Sequence, residues 1–152
     1  MKRLGSILRL DFIPASADCG LLALRLWLGI SMLALHGWTK LSNFQAKAGD
    51  FGDPLGIGSK ASLSLAVFGE VVGSLLVILG LFTRFGALAV MITMGVAFFL
   101  VHGARFGGPK GGELAFIYLG GFFAIFLAGP GRFSIDGAKG GKSSKPNRDA
   151  RK

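Results

Sequence analysis

The chain has 152 residues, the length of one domain, with 51% hydrophobic and 16% charged residues, where soluble domains carry roughly 25% charged. Cys19 stands alone, which excludes an internal disulfide, a CxxC redox pair and a cysteine-built metal centre, and two histidines leave little for any metal site. The net charge of +9 is concentrated in residues 132–152, and beside hydrophobic segments such a basic run reports membrane topology rather than nucleic-acid binding.

Residues 1–18 read as an N-terminal arm. In one reading Leu4, Ile7, Leu8 and Phe12 line one side of a short interfacial helix, with Lys2, Arg3 and Arg9 toward the head groups; in the other the arm is frayed. Arg9, Asp11 and Pro14 interrupt its apolar patch, so it does not read as a cleavable signal. Four hydrophobic segments come next, at about 19–41, 61–82, 85–103 and 113–129, each close to the ~20 residues that cross a bilayer core of about 30 Å. Residues 42–60 form a polar, Gly-rich loop, Thr83-Arg84 a turn short enough for an antiparallel hairpin, and residues 104–112 a Gly/Pro loop. Residues 138–152 read as a basic, disordered tail. The predicted fold class is all-α: an integral membrane four-helix up-down-up-down bundle over residues 19–137. With the N-terminus inside, eleven basic residues lie on the cytoplasmic side and five opposite, so both termini are expected in the cytoplasm.

Ionisable residues within spans are costly and normally face the bundle interior. On the first span Arg25, Gly29, Met32, His36 and Lys40 form one stripe; Glu70 lies near the middle of the second, His102 ends the third, and Glu113 opens the fourth. Helical rise puts Arg25 roughly 9 Å, Glu70 roughly 18 Å, His36 roughly 25 Å and His102 roughly 26 Å from the cytoplasmic end. This predicts a cluster of His36, His102, Glu113 and Lys40 with Glu70 beneath it, and an Arg25–Glu70 ion pair. Plainer readings stand beside these: a purely structural pair, a Lys40 that snorkels, histidines bonded to carbonyls, and a Glu113 held by its helix dipole. Gly69 and Gly73, like Gly120 and Ala124, read as close-packing sites, and Phe122, Phe123 and Phe126 are expected to face lipid or a partner.

The motifs Leu24-Arg25-Leu26, His36-Gly37-Trp38-Thr39-Lys40-Leu41, Phe68-Gly69-Glu70-Val71-Val72-Gly73 and Leu79-Gly80-Leu81-Phe82-Thr83-Arg84 occur in that order. His102, Glu113-Leu114-Ala115 and the run Gly129-Pro130-Gly131-Arg132-Phe133-Ser134-Ile135-Asp136 complete the series. Over residues 20–137 the chain resembles the DoxX family of small bacterial and archaeal membrane proteins, some of which are linked to quinone-dependent oxidation of sulfur compounds and to membrane oxidoreductase complexes.

That resemblance implies a multi-pass protein of the cell (inner) membrane and a component of a quinone-linked redox system. Glu70, His36 and His102 are the candidate catalytic residues, with Glu70 relaying protons; Arg25, His36, Lys40, Glu70, His102 and Glu113 are the candidate quinone-binding set. A quinone is the candidate cofactor, and no metal is expected. The competing reading is a non-catalytic scaffold that anchors a partner enzyme. Expected partners are the bilayer, an oxidoreductase subunit and further copies of the chain, with no nucleic acid.

Overall fold

The computed structural model describes Leu10 and residues 16–140, and every regular element among them is helical. The expected interfacial helix of Leu4, Ile7, Leu8 and Phe12, and the tail from residue 141 onward, lie outside the described residues. Helix α1 runs Ala17–Ser42, α3 Ser59–Leu79 and α4 Thr83–Val101, and all three are long and apolar enough to cross a membrane. Short α2 spans Phe44–Lys47. Helix α5, Glu113–Ala128, is apolar but shorter, and α6 covers Ile135–Gly140, three residues past the point where the tail was expected to begin.

Local chemistry accounts for the helix ends. Ser16 caps α1 by accepting from the Cys19 N–H at 3.2 Å, with Asp18 in the positive first turn. Gly80 ends α3 in the left-handed region at φ +67°, which glycine enters without penalty. The start of α4 is capped from far along the chain: the Asp136 carboxylate accepts from the Phe82 and Thr83 N–H groups at 3.0 and 2.9 Å and from the Thr83 hydroxyl at 3.0 Å.

Helix α1 packs on α3 and α5, and α4 packs on the same two helices. Leu28 and Met32 of α1 meet Val77 of α3, Val90, Met94 and Phe98 of α4, and Tyr118, Phe122 and Ile125 of α5 in one core. Small residues set the spacing. A Cβ on Gly73 would lie 2.9 Å from the Gly86 carbonyl oxygen, and one on Gly86 would lie 2.7 Å from that of Gly73, so α3 and α4 touch backbone to backbone. Gly69 packs in the same seam, against Thr93 and the Ala89 carbonyl.

Helix α5 faces the other way from the sequence expectation. Phe122 is wholly buried, Phe126 is partly buried, and of the three phenylalanines Phe123 alone is exposed. The inward stripe is Ala115, Tyr118, Phe122 and Ile125, whereas Glu113, Ile117, Gly120 and Ala124 face out. Gly120 has nothing within 4 Å of its would-be Cβ; the glycine that packs is Gly121, against Leu28. The cause is the all-round apolarity of α5. Without a polar side to define its faces, Glu113 looked like an inward pole, yet a carboxylate in a first turn is held by the helix dipole whichever way it points.

Candidate functional site

A buried ion pair between α1 and α3 anchors the site. Lys40 Nζ donates to both carboxylate oxygens of Glu70, at 2.9 and 2.7 Å, and the Glu70 side chain is 4% exposed against 21% for Lys40. Lys40 therefore does not snorkel to the interface. Its partner is the residue that the sequence reading gave to Arg25, so the expected Arg25–Glu70 pair is overturned. Arg25, 1% exposed, donates instead to the carbonyl of Pro130 and, at 2.6 Å, to that of Phe133, in the turn after α5. The reason is directional. Side chains lean toward their helix N-terminus, so Arg25 reaches back toward the end of the span while Lys40 reaches down to Glu70.

The backbone around this pair is irregular in all three long helices. Leu33–Gly37 in α1, Phe68–Gly73 in α3 and Ala97–Val101 in α4 are π-helical. A π-turn adds a residue to the helical repeat and rotates the turns downstream of it, and such insertions collect at functional sites. Here they fall beside Lys40, around Glu70 and next to His102. Gly37 lets α1 approach this stretch: a Cβ there would sit 3.0 Å from the Glu70 carbonyl oxygen.

Lys40 and Glu70 line a cavity of about 320 Å³ between α3 and α4. Ala66 of α3 and Ile92, Val96, Ala97 and Val101 of α4 make its walls apolar; Thr93 and Ser62 add hydroxyls, and His102 stands at one side. Phe51, Pro54 and Leu55 from the loop between α2 and α3 close over it. Asp53 ties that loop down, since Oδ1 accepts from Ile57 N–H at 3.0 Å and Ser62 Oγ at 2.7 Å, while Oδ2 accepts from Gly58 N–H at 2.7 Å.

The Ser62 hydroxyl foremost, then the Gly58 N–H, hold the Asp53 carboxyl below the usual carboxylate range. A carboxyl whose pKa is lowered by folding stabilises the closed loop fully above the free-Asp value of about 3.9, and this contribution is lost as pH falls through the lowered value. The loop is therefore expected to stay tied at neutral pH and to release only in strong acid. Asp53→Ala should speed hydrogen exchange at the Ile57 and Gly58 amides at neutral pH; unchanged exchange would remove Asp53 from this role.

The remaining predicted site residues divide. His102 donates from Nδ1 to the Lys110 carbonyl at 2.9 Å, which leaves Nε2 as the acceptor of the neutral ring. Gly112 keeps this end tight, because a Cβ there would lie 2.8 Å from that of His102. His36 is absent from the cavity wall; its ring meets Tyr118 edge-on at 5.5 Å, and its buried Nε2 has no hydrogen-bond partner. Glu113 is exposed and lines a different depression, with Phe106 and Ile117. The structure thus joins Lys40, Glu70 and His102 at one cavity, sets His36 apart from it, and leaves out Arg25 and Glu113. The loop residues Phe51, Asp53, Pro54 and Leu55 escaped the sequence reading, where aromatic and proline side chains in a Gly-rich loop were the only signal.

Three apolar helices of membrane-crossing length, with a buried ion pair between two of them, define a membrane protein of the transmembrane-helical class. The DoxX family matches residues 20–103, and the chain belongs to that family. An uncharacterized protein of Haemophilus influenzae is 36% identical over 114 residues, covering 69% of this chain and 80% of its own length. No solved structure matches the chain.

Proposed function

We propose that this protein is a membrane redox component whose cavity takes a quinone-like ring. The observation that carries the reading is the Lys40–Glu70 pair set in the wall of an otherwise apolar cavity. A small amphipathic ring needs such a site: apolar walls for its faces and a few polar groups to fix its oxygens. At about 320 Å³ the cavity falls in the range of about 300–1,000 Å³ usual for small-molecule sites. Lys40 offers donors to a ring oxygen, Glu70 is the proton acceptor beside it, and His102 Nε2 is a second acceptor. A quinone supplies a two-electron, two-proton couple, and these side chains would hold and move its protons.

The proposal places α1, α3, α4 and α5 across a bacterial or archaeal cell membrane as an up-down-up-down bundle with both termini cytoplasmic. The short α3–α4 connection, the mutual packing of the four helices and the basic-residue asymmetry support it. At about 1.5 Å per residue α5 is roughly 24 Å long, short of a full core, so its ends would draw polar groups inward.

A second reading, a scaffold for an oxidoreductase subunit or for further copies of the chain, draws on the outward Gly120 and Ala124 of α5, an open small-residue face of the kind that packs helices together in membranes. Purified protein in lipid nanodiscs separates the two. A water-soluble methylated benzoquinone should bind, and Lys40→Met should weaken it about tenfold or more, as expected for a lost hydrogen bond to a charged group. Absence of binding, together with co-purification of an enzyme whose activity survives Lys40→Met and Glu70→Gln, would establish the scaffold reading instead.

A further inference from the structure

The cavity does not end at its apolar wall. Ile92 and Thr93 also border a second depression, which runs along the α3–α4 seam away from the ion pair. Its floor is Gly69 and Ala89, where the helices touch closely, and its sides are Leu65 and Phe68 on α3 and Phe85 and Leu88 on α4. All four flanking side chains are exposed on the apolar exterior. From Thr93 to Phe85 the groove covers about 12 Å of helix at 1.5 Å per residue. One end therefore meets a polar anchor, and the rest is a hydrocarbon trough open toward the bilayer.

From this continuity we infer that the ligand of the cavity is lipid-tailed: its polar ring lies against Lys40 and Glu70, and its hydrocarbon tail lies in the groove between α3 and α4. The inference rests on the proposed ring-binding role and adds the class of ligand and its route, sideways from the bilayer. A tail leaving lipid gains no hydrophobic free energy, so the groove contributes by packing and by fixing the direction in which the ring enters. Small residues on the floor and bulky ones on the rims give a chain-wide channel that dispersion contacts can fill.

The test uses three probes on the full chain in nanodiscs: a tetramethylated benzoquinone without a tail, a benzoquinone with a decyl chain, and a decyl phenol. Each is measured on the natural protein and on Leu65→Trp/Leu88→Trp, which fills the groove at two positions outside the cavity wall. Because both proteins sit in the same lipid, membrane partition cancels in the ratio. The filled groove should weaken the decyl benzoquinone by at least about fivefold and leave the tailless ring unchanged. A photoreactive group at the tail end should label Phe68, Phe85 or Leu88. If the tailless ring binds and the decyl compound is indifferent to the double substitution, the groove holds only annular lipid and the tail inference fails while the ring reading stands. If the decyl phenol shows the fivefold ratio and neither quinone binds, the groove is real and the quinone reading fails. Binding of none of the three overturns both.

Discussion

Lys40→Met should lower the stability of the protein by about 3–5 kcal/mol, while Lys40→Met/Glu70→Leu should regain most of the loss. Removing the lysine strands a carboxylate that is almost wholly enclosed. Removing both partners leaves an apolar contact in a region already lined by Ala66, Val96 and Ala97. The two single variants should also differ. With Glu70→Leu the lysine, less enclosed and on a flexible stem near the end of α1, can swing its ammonium toward the polar layer, so the loss should be smaller. Thermal melting in one detergent orders the three variants: Lys40→Met lowest, Glu70→Leu between, the double variant nearest the natural protein. Melting of all three variants at the temperature of the natural protein would show that the pair adds nothing to stability.

Arg25→Met is expected to be similarly damaging and not to be rescued through Glu70, whose partner is Lys40. The guanidinium satisfies the Pro130 and Phe133 carbonyls, and its loss leaves two acceptors without their charged donor, at about 1.5–3 kcal/mol for each hydrogen bond to a charged group. Because the hydrogen-bonded partners are main-chain atoms and Glu70 is not among them, Glu70→Leu should not restore the balance and should add its own effect independently. Limited proteolysis offers a second readout, since the turn at residues 129–134 should become cleavable before the helices melt. Rescue of Arg25→Met by Glu70→Leu would reinstate the pairing that the structure rejects.

These variants mark where the sequence was legible and where it was not. The long apolar runs and the glycine–proline breaks placed the helices within a few residues, because span length is set by bilayer thickness and needs no tertiary information. The stripe from Arg25 to Lys40 was legible for the same kind of reason: α1 carries its charged residues and His36 on one side only, and Arg25, Gly29 and Met32 are buried. Partner choice was not. At 100° per residue Lys40 lies about 60° past Arg25 around a regular helix, and the π-turn at Leu33–Gly37 alters that angle in a way no residue type announces. Arg25 found its acceptors more than a hundred positions away, in main-chain carbonyls invisible to a search for opposite charges. The face of α5 was illegible because apolar residues surround it.

The Asp136 cap on α4 bears on the order in which the chain is made. The α3–α4 hairpin is complete as a sequence by residue 101, yet the carboxylate that closes its turn lies 53 and 54 positions beyond the amides it serves. At the 5–20 residues per second of synthesis, the completed hairpin would wait roughly 2–7 s for that group to be made. During this interval the first amides of α4 depend on water or head groups. Asp136, its main-chain bond to the Gly80 carbonyl and the Arg25 clamp arrive together on one short stretch, so the assembly closes late and in a single step, after every long helix has been translated.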